Sequence, residues 1–291
     1  MAAEPLRLRV SGWLGEQGTD LPLRLTLLLL LLTPVGGWEV RPFLLLLAGA
    51  GLLSPAVLRA PTTWLLLTFL TGWRVVADWP MSDNHAYLLC YWCLAVGLSR
   101  LTPAPGSALA SSARLLLGLT FAFATLWKVA LSPDYLDGTF FRVWLLVDTR
   151  FEALAQLVGG LSAQEIDASR YFLQPPPSLG EEHLPALVEP PALRAAAAVL
   201  TWATAALETL LAIVFLAPAP GRWFALRHIV LIFFCATTYA IAPVTSFGWM
   251  LLAMGTAACP PAALRLRGAY LVCFALLVLH DAIAWATLVP S

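Results

Sequence analysis

Long apolar stretches occupy most of the chain, and short polar segments separate them. Such stretches are typical of helices that cross a membrane, which need roughly 20 residues each. The pattern predicts about nine such helices, several of them shorter than that length. Their expected ranges are 22–36, 43–58, 62–77, 85–101, 109–132, 192–217, 224–243, 246–260 and 268–289. The second and third are expected to be broken or re-entrant around Pro55 and Pro61.

Two further stretches do not fit a membrane span. Residues 139–159 mix Phe, Trp and Leu with charged residues, which predicts an amphipathic helix at the membrane surface. Residues 164–191 are acidic and rich in proline, which predicts a surface loop. We therefore expect a polar segment at 1–20 and a transmembrane domain at 21–291. That domain contains an outer-face insertion at 133–191.

Composition supports a membrane protein. Hydrophobic residues make up 60% of the chain and charged residues 12%, with a mean hydropathy of +0.80. Soluble domains carry about 25% charged residues. The expected fold is an all-α integral membrane protein, a polytopic helical bundle with one interfacial helix. The net charge of +0 gives no case for nucleic acid, and the odd count of 5 cysteines argues against a complete disulfide framework.

The charges are distributed unequally between alternate loops. Most arginines fall on one side of the predicted bundle and most carboxylates on the other. Because the arginine-rich side is usually cytoplasmic, the N-terminus is expected inside. The first span carries no convincing cleavage site and is expected to be retained. The protein is then a multi-pass protein of a bacterial plasma membrane or of the endoplasmic reticulum, with its acidic face in the periplasm or lumen.

Two polar segments at the ends of apolar helices, 77–87 and 127–138, hold the candidate chemistry. They contain Lys128, which is the chain's only lysine, and His85. Ionisable groups at this depth are costly and are often functional. Lys128 is either a base in a poorly hydrated site or a lysine that extends to the membrane surface. His85 either orients a substrate oxygen or merely follows the helix cap of Asp83 or Asn84.

Other polar residues have structural and functional interpretations side by side. Cys90 and Cys93 form a CxxC pair. They are either two small buried thiols or a redox pair at a depth in the membrane that a quinone can reach. Glu208 is expected to form a structural ion pair with Arg227 and His228. Asp281 is a candidate counter-ion for Lys128. No metal site is expected, because there is no second CxxC and His85 is not on the face of Cys90.

The segments Asp83–Leu88, Ala124–Lys128 and Asp134–Gly138 together resemble the membrane domain of vitamin K-dependent gamma-glutamyl carboxylase. Its bacterial relatives are known as horizontally transferred transmembrane (HTTM) proteins. The resemblance covers roughly residues 20–285. It implies that Lys128 deprotonates reduced vitamin K and that His85 supports the oxygenation step. The later segment Phe233–Thr238 also resembles a family helix, although the family's histidine near Cys235 is absent here.

Two classes of function follow from this resemblance. The first is a carboxylase-like enzyme of the carbon–carbon lyase type, with reduced vitamin K or another lipid quinol as cofactor and an unknown second substrate. Its expected catalytic residues are Lys128 and His85, and its expected substrate-binding residues are Asn84, Tyr87, Asp83, Asp281 and Thr238. The second is a non-catalytic membrane protein that binds lipid or a partner. A thiol–quinone relay through Cys90 and Cys93 is a further alternative.

Overall fold

The computed structural model describes residues 20–33, 35–173, 189–218, 222–242 and 244–288. Their regular structure is helical throughout, without a strand among the described residues. Most of the predicted N-terminal segment and much of the acidic loop lie outside these residues. The helices are α1 Asp20–Leu32, α2 Arg41–Leu53, α3 Pro55–Arg59, α4 Pro61–Ala77, α5 Asn84–Ser99, α6 Pro105–Leu126, α7 Pro133–Leu136, α8 Thr139–Val147, α9 Glu152–Gly159, α10 Ala163–Leu173, α11 Pro191–Leu216, α12 Arg222–Ile241, α13 Thr245–Ala258 and α14 Leu264–Leu288.

Each predicted span overlaps a helix, except that 43–58 is divided between α2 and α3, so the predicted break is confirmed. The chain leaves the helical conformation at Ser54, just before Pro55, and again at Ala60, just before Pro61. Proline has no N–H group and restricts the residue before it to an extended conformation, so each proline begins a new helix. The Ser54 hydroxyl caps the first of them by accepting a hydrogen bond from the Val57 N–H at 3.5 Å.

Four of the described helical segments are long and apolar enough to cross a membrane. They are Pro105–Leu131, Pro191–Leu216, Phe224–Ile241 and Leu264–Ile283. α2 and the Ser246–Ala258 segment are shorter apolar helices. The protein is thus an all-helical chain with the properties of a membrane protein, while the predicted count of about nine crossings stays a prediction.

The described residues divide into two compact units. The first comprises residues up to Thr120 together with 214–239 and 244 onward. Within it, α1 packs against α2 and α13, α4 packs against α5, and α13 also contacts α5 and α14. Buried Trp92 on α5 donates its indole N–H to the Thr26 hydroxyl of α1 at 2.9 Å, which ties these two helices together.

The second unit comprises Phe121–Ile213 and Ala240–Pro243. Its core is formed by apolar side chains of the short helices and of the start of α11: Leu145, Leu146, Phe151, Ala155, Leu161, Ile166, Leu193 and Ala197. The single amphipathic helix expected over 139–159 is instead α8, a 3-10 turn at Thr149–Phe151, and α9. Asp148 separates α8 from the turn, and its carboxylate accepts the Arg150 N–H at 3.0 Å.

The predicted surface loop at 164–191 is wrong over its first part, because Ala163–Leu173 forms helix α10. Ser162 and Glu165 form a reciprocal cap at its start. The Ser162 N–H donates to the Glu165 carboxylate at 2.8 Å, and the Glu165 N–H donates to the Ser162 hydroxyl at 3.3 Å. This is the capping box that a Ser-x-x-Glu sequence forms. Ile166 is fully buried on the face of α10 that packs against α8.

Candidate functional site

Lys128 lies in a π-helical turn, Trp127–Leu131, that ends the long helix α6. Ser132 follows with an extended φ of −125°, and Pro133 begins α7. The proline accounts for the end of the helix, because the residue before a proline disfavours the helical conformation. Short π-helical turns occur frequently at functional sites. The turn places Lys128 at the boundary between a membrane-length helix and a polar segment.

Glu208 of α11 is the ion partner of Lys128. The Lys128 Nζ and the Glu208 Oε2 form a hydrogen-bonded ion pair, in which the two side chains are only 17% and 9% exposed. The ammonium group also lies 5.2 Å from the centre of the Tyr135 ring. An ammonium at this distance from an aromatic face is attracted to it. Lys128 is therefore compensated by a carboxylate and an aromatic ring within the second unit.

This pairing corrects two expectations. We expected Asp281 as the counter-ion of Lys128, but that role belongs to Glu208. We expected Glu208 to pair with Arg227 and His228, and this is also wrong. His228 instead shares a 2.8 Å hydrogen bond with the Tyr270 hydroxyl, in the first unit.

Arg227 has other contacts as well. Its guanidinium donates to the Ala217 carbonyl at 3.5 Å, and its centre lies 5.8 Å and 5.9 Å from the rings of Phe215 and Phe224. These residues follow or flank the end of α11. Arg227 and His228 therefore contact residues of the first unit, and their partners differ from the predicted one.

The face of α11 that carries Glu208 is polar. Thr201 and Thr204 precede it by seven and four residues, which places all three on one side of a helix. Tyr135 is buried next to Glu208 and Thr204. Its burial raises the pKa of the phenol, and the neighbouring Glu208 charge acts in the same direction. Tyr135 therefore remains a neutral phenol beside the ion pair.

The Asp-Gly that closes the second polar segment has a structural role. Asp137 accepts the Thr139 N–H at 2.8 Å and so begins α8, and this hydrogen bond holds the pKa of the Asp137 carboxyl below its usual range. Gly138 has a φ of +83°, a region that favours glycine. A Cβ built at this position would lie 3.8 Å from the Ala198 backbone nitrogen and 3.8 Å from the Thr201 hydroxyl oxygen, both on α11. Together the two residues fold the polar segment onto the helix that carries Glu208.

His85 lines a cavity of about 350 Å³ in the first unit. Its ring stacks on Phe247 of α13, with 4.1 Å between ring centres. Asp83 and Asp281 line the same cavity, as do Arg74 and Trp249. Asp83 also caps α5 by accepting the Ala86 N–H at 2.8 Å. The structure therefore brings together three of the predicted site residues, His85, Asp83 and Asp281.

The other predicted residues are placed differently. Among the described residues, the cavity lining includes neither Asn84 nor Tyr87 of α5, and Thr238 of α12 is also absent from it. Lys128 belongs to the second unit and His85 to the first. Their predicted convergence on one site stays a prediction.

Cys90 and Cys93 are free thiols. Cys93 is fully buried, and the Cys90 thiol donates a 3.6 Å hydrogen bond to the Thr68 carbonyl of α4. The helix pair α4 and α5 therefore packs around them. The described residues contain no cluster of three or more His, Cys, Asp or Glu that could hold a metal ion.

Two buried aromatic residues, Tyr135 and Trp249, are not predicted from the sequence. Glu208 is predicted as an ion-pair residue, but with the wrong partner. The burial of Tyr135 beside Glu208 and of Trp249 at the cavity depends on how helices pack, so it carries no local sequence signal.

Comparison of the chain with protein-family models, with curated proteins and with solved structures gives no match. The resemblance to the carboxylase membrane domain therefore stays an expectation carried by the quoted residues alone. What the structure itself adds is the class: an all-helical protein with membrane-length helices and a buried lysine–glutamate pair at the end of one of them.

Proposed function

We propose that the protein is a membrane enzyme that takes a proton from a reduced lipid quinone, such as vitamin K hydroquinone, or from a similar phenol. The observation that supports this most is the buried pair of Lys128 and Glu208 under the Tyr135 ring. A charged pair at the end of a membrane-length helix is costly to maintain. The site also suits a phenol as substrate, because the Lys128 amine, the Glu208 carboxylate and the buried Tyr135 ring lie close together.

The ion pair changes how Lys128 would act as a base. A lysine must be a neutral amine before it can accept a proton. In the pair, the Nζ proton of Lys128 can pass along its hydrogen bond to the Glu208 Oε2, which leaves a neutral amine beside a neutral acid. The amine then accepts the phenolic proton, and Glu208 returns its own proton to solvent or to substrate. Glu208 is thus proposed as the residue that sets the charge state of Lys128.

The quinol would supply the reducing electrons for a reaction with oxygen, and the strong base so produced would act on a second substrate in a carboxylation-type step. The roles proposed for Asn84 and Tyr87 and the support of the oxygenation step by His85 come from the resemblance. The oxygen-orienting role of His85 comes from its neutral imidazole, which can form a hydrogen bond with a substrate oxygen.

The test is the formation of quinone epoxide from reduced vitamin K and oxygen by purified protein in lipid nanodiscs. We expect Lys128→Met to reduce the rate at least a hundredfold, since general-base catalysis contributes about 10²- to 10⁴-fold. Arg142→Met is the matched control, because it removes a different ion-paired cation, that of Glu189. An unchanged rate in Lys128→Met would show that the mechanism is wrong.

The same ion pair also favours a second candidate function, a non-catalytic protein that binds lipid or a partner. Glu208 compensates the Lys128 charge, so the pair has a structural role without any chemistry. Lys128→Arg separates the two, because arginine keeps the charge but cannot act as a base near neutral pH. If the protein is the proposed enzyme, the Lys128→Arg variant should lose epoxidation. If the ion pair has only a structural role, the variant should remain folded and bind lipid as well as the wild type does.

A further inference from the structure

Two arginines of the first unit converge on the end of α11. Arg114 of α6 donates from its Nη1 to the Phe215 carbonyl at 3.0 Å and to the Leu216 carbonyl at 3.4 Å. Arg227 of α12 donates from its Nη2 to the carbonyl of the next residue, Ala217, at 3.5 Å. These three consecutive carbonyls bring the two guanidinium groups together, and the charge of Arg114 acts on that of Arg227.

The packing of the helices holds both arginines at this point. Gly118 lies one turn after Arg114, and a Cβ built there would lie 2.6 Å from the Leu216 side chain and 3.3 Å from the Leu216 backbone nitrogen. Glycine therefore allows α6 to approach the end of α11 closely, which sets the position of Arg114. Arg227 is only 6% exposed, and its guanidinium centre lies 5.8 Å from the centre of the Phe215 ring.

The positive charge of the two arginines is not balanced by a carboxylate in the part of the chain that the structure describes. None of the ion pairs found there includes Arg114 or Arg227. The carbonyls at a helix C-terminus carry the equivalent of about half a negative charge, which offsets only part of two positive charges. Residues 217–221, which connect α11 to α12, are Ala-Pro-Ala-Pro-Gly and supply no carboxylate. An anion bound beside both guanidinium groups would be stabilised by each of them.

The nitrogens that remain suit a phosphate group. The Nε and Nη2 of Arg114 and the Nη1 of Arg227 have no acceptor among the described residues, and none of these three atoms is enclosed by protein. The Nε–H and Nη2–H bonds of a guanidinium group point in parallel, which is the arrangement that binds two oxygens of one phosphate. Arg114 can therefore bind such a group through two hydrogen bonds, with Arg227 as the second cation.

The surroundings favour the phosphate of a membrane lipid. Leu115, beside Arg114, is 50% exposed, and Ile229, two residues after Arg227, is 56% exposed. Both lie in segments that are long and apolar enough to cross a membrane, so acyl chains would cover them. The charge distribution of the sequence puts both arginines on the predicted cytoplasmic side, and the cytoplasmic leaflet carries anionic lipids.

From these observations we propose that the end of α11 binds the phosphate of one anionic phospholipid, with Arg114 as the bidentate donor and Arg227 as the second cation. Basic sites between membrane helices bind lipid headgroups in this way. The site lies in the first unit and includes neither Lys128 nor Glu208. It does not rest on the function proposed above.

Native mass spectrometry of the purified full-length protein in a neutral detergent provides the test, because it counts bound lipids and gives their affinity. One dioleoyl phosphatidylglycerol per chain is expected to bind at least tenfold more tightly than dioleoylglycerol, which has the same acyl chains but no phosphate. Inorganic phosphate at millimolar concentration is expected to displace little of this lipid. Equal affinity for the two lipids overturns the proposal. Displacement of the phospholipid by inorganic phosphate also overturns it, because the occupant would then be a soluble anion.

Arg114→Gln and Arg227→Gln are each expected to weaken phosphatidylglycerol binding at least tenfold, and glutamine keeps an N–H donor for the carbonyls of α11. Arg265→Gln is the matched control, because Arg265 is an exposed arginine of α14 and its loss removes the same charge. An equal effect of all three substitutions would show that general charge attracts the lipid, and the proposal would be wrong. Lys128→Met is expected to bind phosphatidylglycerol normally, which separates failure of this site from failure of the proposed enzyme. The comparison of the two lipids on the wild-type protein decides the proposal even where a variant does not fold.

Discussion

At the residue scale, Glu208 is the residue whose substitution is expected to cost the most stability. Glu208→Gln leaves the buried Lys128 charge without its carboxylate, and breaking one side of a buried pair costs about 3–5 kcal/mol. We expect a clear fall in thermal stability, measured with a maleimide dye that reports exposure of the 5 free cysteines on unfolding. The double variant Lys128→Met with Glu208→Gln should recover much of the loss, because it removes both charges.

The matched control is the more exposed pair of Arg170 and Glu152, with side chains 20% and 35% exposed. Pairs in contact with water contribute about 0–1 kcal/mol, so Glu152→Gln should change stability little. Equal effects of the two glutamate substitutions would contradict the buried ion pair as a major determinant of stability.

Gly138 provides a second residue-scale prediction. Its φ of +83° strains any residue with a side chain, so Gly138→Ala should destabilise the second unit by about 1–2 kcal/mol. Gly49 is the matched control, because it lies inside helix α2 and a Cβ there would meet nothing within 4 Å. Gly49→Ala should be neutral or stabilising by up to about 1 kcal/mol. Equilibrium unfolding of the two variants compares them directly.

At the element scale, the start of α10 tests the correction to the predicted loop. Ser162→Ala removes one half of the capping box and should cost about 1 kcal/mol of helix stability. Hydrogen exchange should quicken over the amides of α10 and leave α8 nearly unchanged. Ser111→Ala on α6, away from any helix start, is the control. If exchange at α10 is unaffected, the cap does not hold this helix.

The elements also show what could be predicted from the sequence. Helix boundaries at Pro55, Pro61 and Pro133 were readable, because proline acts through the local backbone. The capping box of α10 is equally local, but the acidic and proline-rich composition around it favours a loop, and this composition led to the wrong prediction. The partner of Lys128 was not readable, since Glu208 lies 80 positions away and the pairing depends on how helices pack. Local chemistry was therefore accessible, and long-range pairing was not.

At the scale of the whole molecule, the number of membrane crossings is decided by helices such as α5. α5 has 16 residues and would be roughly 24 Å long, somewhat short of a hydrocarbon core of about 30 Å. If α5 crosses the membrane, as the predicted nine-span arrangement requires, the residues before and after it lie on opposite sides. If only the four longest apolar helices cross, those residues lie on the same side.

Single cysteines on either side of α5 distinguish the two arrangements. Met81 is 87% exposed, and Ala104 is exposed in the turn before α6, so Met81→Cys and Ala104→Cys add accessible thiols without disturbing the core. With a membrane-impermeant maleimide on intact cells, we expect labelling at position 81 alone, because the charge distribution places that loop outside. Both positions should label once the membrane is permeabilised, and the wild-type chain measures the background from its native thiols. Equal labelling of both positions on intact cells would remove α5 from the set of crossing helices, and with it the alternation of loops on which the predicted topology depends.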